Sequence, residues 1–274
     1  MLSITFETSE RGDKLNWVKG RILKTNLDLL SFEGYTVKNS SVSLLLDRGL
    51  FNKGIKGIDC NELFKTLDSL SSFKLQAKVR FAKQLNCPYL FYCYSYIDED
   101  CILVELKATA ARLLASFETY KAFADWNSKY RDLSMTSRYE ESGLPRLDLE
   151  LRKLHSPWPG NLDYVLIKDE KPRALIEFQR TIKTSVKSHC NNTWFLPTAY
   201  RKGDVNRWRA IDIIRKQSGL PLFIIVWSAD ERVVKLKLVD KIIYPEDSGQ
   251  QKGLGYKLKE VMTAERMVEI LSRY

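Results

Sequence analysis

The chain has 274 residues, with 44 Lys and Arg against 34 Asp and Glu, giving a formal net charge of +10. An apolar content of 44% with 28% charged residues excludes a disordered or collagen-like chain, and the length allows one large buried core or two ordinary ones. No apolar run approaches the roughly 18 residues of a membrane span, and Met1 to Glu7 lacks the basic start and long apolar core of a signal peptide, so the expectation is a soluble cytoplasmic protein.

Along the chain, Asp13 opens an expected helix whose apolar positions are Leu15, Val18, Ile22 and Leu23. A second helical stretch is expected from Asn61 to Leu85. Pro88 introduces an aromatic strand, Tyr89 to Tyr96, and the acidic turn Asp98–Asp100 leads into Ile102–Leu106, which together read as a hairpin. The longest helical signal runs from Ala108 to about Ser134. Gly143–Pro145 is the best candidate for a boundary, and after it the period changes. In Arg146–Arg152 leucines alternate with charges, as in a half-buried strand. The loop from His155 to Gly160 is followed by strands at Asn161–Lys168 and Arg173–Thr181, joined by a turn at Asp169–Pro172, so a three-strand antiparallel meander is expected. Asp204 is placed to cap a helix carrying Val205, Trp208, Ile211 and Ile214 on one face, with Trp208 in the core. Gly219 ends that helix, Pro221 blocks its continuation, and the buried-type strand Leu222–Trp227 begins.

Cys60, Cys87, Cys93, Cys101 and Cys190 are odd in number and form no CxxC pair. That speaks against a disulfide framework or a zinc cluster. His155 and His189 have no partners at ligand spacing. A constant shift aligns Lys83-Gln84, Pro88 and Ser95 with Lys216-Gln217, Pro221 and Ser228. A duplicated unit and a coincidence of two similar helix–Pro–strand elements are the two readings, with coincidence favoured since no catalytic pattern matches in the first copy.

Chemistry concentrates on the second and third meander strands. Glu177 and Gln179 are two residues apart on a strand and share one face, with Ile176 and Phe178 on the other. Pairing through the turn sets Asp163 beside Glu177, on the face that also carries Val165, Ile167 and Leu175. Two carboxylates meeting among apolar strands are costly without a cation between them. Mg²⁺ fits this donor set best, held by Asp163, Glu177 and the carbonyl of Phe178, with Mn²⁺ as a substitute. The bland alternative is an exposed hairpin with Glu177 and Gln179 on a solvated face. Glu105-Leu106-Lys107 is a literal E-x-K with Asp98 and Asp100 just before it, and it competes as a weaker site.

The sequences PGNLDYVLI and RALIEFQRT resemble the PD-(D/E)xK nuclease superfamily, the fold of many type II restriction endonucleases, over roughly Ala108 to Ser228. The resemblance implies an α/β fold with a mixed α+β sheet. Residues 111–274 would hold a restriction-endonuclease-like core of helix, three-strand meander, helix and strand. Residues 1–110 would form an N-terminal α/β region for target recognition or dimerisation. It also implies that Asp163 and Glu177 are the metal ligands, and it places Gln179 where the family usually has lysine, a variant found in a few restriction enzymes. A neutral amide orients water but brings no positive charge. Lys183 or Lys187 is the candidate source of that charge. Glu140, Glu141 and Glu150 stand open as a supporting acid.

Lys187, Arg201, Lys202, Arg207 and Arg209 are candidate nucleic-acid contacts, since phosphate-directed cations position a duplex without reading its sequence. A solvated helix face with ordinary ion pairs is the competing account of Arg201–Lys216. Trp194 is a candidate for stacking on bases. The expected activity is Mg²⁺-dependent hydrolysis of double-stranded DNA by a restriction-type endonuclease, as a symmetric homodimer because two strands need two sites. A repair, recombination or transposon nuclease of the same fold, and an inactive DNA-binding module, are the other readings.

Overall fold

Two-residue turns build the hairpins around which this fold forms in the computed structural model, which describes residues 2–7, 27–97, 99–132, 144–182, 184–189, 202–244 and 253–274. The fold is mixed α/β, with mostly antiparallel strand pairing and six helices among the described residues. The chain divides into two compact units, Met1–Glu10 with Phe32–Asn161, and Arg11–Ser31 with Leu162–Tyr274. Residue 110 falls inside the first. No described helix is long and apolar enough to cross a membrane.

In the first unit, β1 (Ile4–Thr5) pairs with β3 (Ser41–Phe51), and β3 pairs antiparallel with β2 (Asp28–Lys38). Asn39 and Ser40 turn the β2–β3 hairpin with φ of 50° and 57°, the doubly left-handed conformation that matches strand twist. Two helices follow, α1 (Cys60–Ser69) and α2 (Leu75–Gln84), where one longer helix was expected. The break comes at Leu70–Lys74, where Lys74 sits at φ 55° and ends the helical path. Then β4 (Tyr89–Tyr94) runs parallel to β3, followed by antiparallel β5 (Cys101–Leu106) and β6 (Ala111–Phe117). The β4–β5 hairpin is as expected. Every residue of β4 is buried, which fits its aromatic, continuous pattern. α3 (Tyr120–Ser128) and α4 (Arg146–Lys153) complete the unit.

In the second unit, β7 (Gly160–Lys168) and β8 (Lys171–Arg180) form a hairpin turned by Asp169 and Glu170 at φ 49° and 58°. Helix α5 (Lys202–Ser218) crosses to β9 (Leu222–Trp227), which lies parallel to β8. Gly219 closes α5 at φ 69°, its N–H donating to the Arg215 carbonyl at 3.0 Å, a left-handed cap that only glycine takes without strain. Antiparallel β10 (Val233–Ile243) and β11 (Gly253–Thr263) extend the sheet, and α6 (Ala264–Leu271) follows. One sheet face is apolar: Leu166, Ile176, Phe178, Phe223, Ile225 and Leu236 pack with Met267 and Leu271 of α6. Residues 163, 177 and 179 are on the opposite face by strand alternation.

Three sequence expectations are corrected here. Arg146–Arg152 is helix, because Leu147 and Leu151, the fully buried leucines of this segment, are one helical turn apart; alternation over seven residues fits that spacing as well as a strand. The expected helix over Ala108–Ser134 is instead β6 followed by α3, which starts where Thr119 accepts from the Ala122 N–H. Leu113 and Leu114, 50% and 42% exposed, gave β6 an apolar content without a buried face. The expected meander is therefore one strand short at this point of the chain. The other neighbour of β7 is β2, whose residues Asp28–Ser31 belong to this unit. α5 begins by Lys202, so Asp204 lies inside it rather than at its cap. The helix expected from Asp13 lies outside the described residues.

Candidate functional site

The hairpin register sets the site. Tyr164 faces Ile176 and Val165 faces Leu175, so Asp163 falls opposite Glu177. Both carboxylates are buried, with Asp163 5% and Glu177 0% exposed. Asp163 Oδ2 accepts the Phe178 N–H at 2.9 Å, which fixes the aspartate against the strand that carries the glutamate. Around them Val165, Ile167, Leu175, Ile224 and Val226 are buried. The bland alternative of a solvated hairpin face is thereby excluded for this pair. Gln179 follows on the same face, half-buried at the rim.

A buried carboxylate in apolar surroundings requires a positive neighbour. Glu177 has one: the Arg207 guanidinium of α5 makes an ion pair with its Oε2. That contact also places α5 over this face. Arg207, expected as a phosphate contact, is about one-third exposed and serves first as the counter-ion of Glu177.

The same face holds a concentration of lysines that sequence reading missed. Glu177 is in register with Ile224, and Ile224 with Lys237; Gln179 is in register with Val226, and Val226 with Lys235. Lys237 and Lys235 are thus two strands from Glu177 and Gln179, about 10 Å at backbone level. Both are buried, at 0% and 5% exposure. Lys235 Nζ donates to the carbonyls of Lys187 and His189 at 2.5 and 2.6 Å and so pins the segment after β8. Lys237 and its cross-strand neighbour Lys259 flank the Tyr256 ring, their Nζ atoms 5.3 and 5.8 Å from its centroid. The legible signal was VVKLKLV, two lysines in phase on an otherwise apolar strand.

These charges act on His189. Partial burial first, and then Lys237, Lys235 and Lys259, pull its imidazole from 6.5 down to about 4. The folded-state value lies below the unfolded one, so its stabilising contribution is present above pH 6.5 and is lost as pH falls towards 4. An NMR titration is expected to place the His189 midpoint near 4, and His189→Gln to flatten the acid limb of stability between pH 6.5 and 4.

Of the other expected site residues, Phe178 points its side chain into the apolar core and leaves its backbone at the carboxylate pair. Lys187 is exposed. Arg209 lies over the Tyr244 ring at 5.1 Å. Arg215 and Lys216 both pair with buried Asp212, which is the ordinary ion-pair account for that end of α5. Trp208 is fully buried. Lys183, Arg201, Glu140, Glu141, Asp98, Trp194 and Cys190 lie outside the described residues, and the side chain of Lys202 is likewise not described. Glu150 pairs with Lys153. In the competing E-x-K, Glu105 is neutralised by Arg112 at 2.8 Å and Lys107 at 3.6 Å, and Asp100 by Lys56.

Among the described residues, no group of three or more His, Cys, Asp or Glu side chains stands at ligand spacing. The donor set at Asp163 is two carboxylates and the intervening peptide, which suits a hard cation that keeps several waters. No known family matches the chain, and no curated protein is similar to it.

Proposed function

We propose that the second unit is a restriction-endonuclease-like core and that the chain is a metal-dependent endonuclease acting on double-stranded DNA. The observation that carries this reading is the buried, register-opposed pair Asp163 and Glu177, already balanced by a cation, on a sheet face that also bears Gln179 and Lys237.

Asp163, Glu177 and the Phe178 carbonyl would hold Mg²⁺, and the fit rests on hard oxygen donors gathered where the fold already stabilises positive charge. When bound, the metal polarises the scissile phosphate and lowers the pKa of a coordinated water. Gln179 orients a water through its amide. Lys237 supplies the fixed positive charge that glutamine lacks at the position the family gives to lysine, and Lys259 adds to the same field. Arg207 holds Glu177 in place through their ion pair. Lys187, Arg209 and the arginines and lysines around Arg201–Lys202 provide phosphate contacts that hold the duplex.

Incubating the protein with plasmid DNA and Mg²⁺ or Mn²⁺ tests this reading. Discrete fragments are expected; a mobility shift without cutting under any divalent ion overturns the catalytic assignment in favour of a binding module. A second measurement isolates Lys237. Lys237→Met is expected to slow single-turnover cleavage by about 10²-fold, the usual cost of removing one pre-positioned group that stabilises developing charge, while leaving Mn²⁺ affinity intact.

A further inference from the structure

The two units repeat one design. Each contains a hairpin on a two-residue turn whose φ values are both positive, and each then crosses through helix to a strand parallel to the second hairpin strand. Two antiparallel strands follow in each. The match extends to register. The β2–β3 bulge lies between Thr36 and Val37, the β7–β8 bulge between Leu166 and Ile167. In both units the residue two before the acid on the second hairpin strand donates to a proline carbonyl: Leu45 to Pro88 at 3.1 Å, Leu175 to Pro221 at 2.8 Å. The sequence shift of Lys83, Pro88 and Ser95 onto Lys216, Pro221 and Ser228 therefore aligns equivalent positions, and the chance account given for it is corrected.

Under this match Gly34 opposite Leu46 corresponds to Tyr164 opposite Ile176, so Glu33 takes the place of Asp163 and Asp47 that of Glu177. The first unit has its own acid pair, but the surrounding chemistry differs. Asp47 Oδ1 accepts the Glu33 N–H at 3.0 Å, and its Oδ2 accepts from Lys78 Nζ at 2.6 Å and Tyr89 Oη at 2.5 Å. Lys78 is buried, with Nζ 4.5 Å from the Phe73 ring centroid, and reaches Asp47 from the crossover helix as Arg207 reaches Glu177. Gly49 stands at the position of Gln179, and Val104 and Ile102, facing Phe91 and Cys93, stand where Lys237 and Lys235 face Ile224 and Val226.

We infer that the two units are copies of one fold and that the first is a silent copy: Gly49, Val104 and Ile102 stand where the second unit carries Gln179, Lys237 and Lys235, and both oxygens of Asp47 are held within the unit, Oδ1 by the Glu33 N–H and Oδ2 by Lys78 and Tyr89, so each chain carries one hydrolytic centre. This rests on the function proposed above. A chain with one centre cuts one strand, and duplex cleavage then requires two chains.

Mn²⁺ alone, titrated into the full chain and followed by electron paramagnetic resonance, tests the inference by stoichiometry. One bound Mn²⁺ per chain is expected, lost in Glu177→Gln and kept in Glu33→Gln, which also retains wild-type cleavage. Two ions per chain, or one ion that survives Glu177→Gln and disappears in Glu33→Gln, overturns the silent copy. No bound Mn²⁺ in the wild-type chain instead refutes the metal centre of the second unit, and the single-centre inference with it.

Discussion

Replacing Asp163 by Asn or Glu177 by Gln is expected to lower metal-dependent DNA cleavage by about 10³-fold or more, with DNA binding retained. Each substitution keeps the shape of the side chain and removes one full negative charge from a donor set that has only two. A hard divalent ion bound by few protein ligands depends on those charges, and the loss of one transition-state-stabilising group commonly costs 10²–10³ in rate. The two variants are expected to differ in stability. In Asp163→Asn the amide keeps an oxygen able to accept the Phe178 N–H, now at 2.9 Å from Oδ2, so folding changes little. In Glu177→Gln the guanidinium of Arg207 loses its charged partner, yet that side chain is about one-third exposed and can turn to water. Its cost is correspondingly limited. Circular dichroism and denaturant midpoints near wild type, together with a lost cleavage rate and a normal gel shift, are the expected set of results. Unchanged cleavage in both variants refutes the assignment.

How much of this was legible in the sequence depends on which physical signal each residue left. The β7–β8 hairpin was readable because Asp169-Glu170 separates two runs that alternate cleanly, and alternation alone predicts that Asp163 and Glu177 meet. α5, Gly219 and β9 were readable from cap chemistry and a proline stop. Arg146–Arg152 was misread because seven residues do not separate a period of 2 from one of 3.6 when leucines fall at both. β6 was misread because its leucines are exposed and follow no buried face. Lys235 and Lys237 were passed over because lysine is read as surface, whereas their burial depends on strands β9 and β11 lying on either side. The counterpart acids Glu33 and Asp47 left no local motif at all. Only the pairing register, which is a property of the folded sheet, sets them opposite one another as Asp163 and Glu177 are set.

Asp47→Ala is expected to be the most destabilising single substitution of a charged residue in the first unit, costing about 3–5 kcal/mol, the range for breaking a buried ion pair from one side. Three donors converge on this one carboxylate: the Glu33 N–H, Lys78 Nζ and Tyr89 Oη. Lys78 and Tyr89 are 5% and 2% exposed, so neither can replace the lost acceptor with bulk water. The stranded ammonium dominates, since an unpaired buried charge costs far more than an unpaired hydroxyl. It follows that Asp47→Leu combined with Lys78→Met should recover most of the loss, because that pair removes both charges and leaves apolar volume beside Phe32 and Phe73, the rings already next to Lys78. Denaturant unfolding checks both statements: the midpoint should drop in Asp47→Ala and return in the double variant, with the slope unchanged. Additive losses in the double variant would show that the two side chains do not act as a pair. The same measurement with Mn²⁺ present separates structure from metal binding. The ion is expected to give the same increment of stability to the wild-type chain and to Asp47→Ala, and none to Glu177→Gln, because its site lies in the second unit.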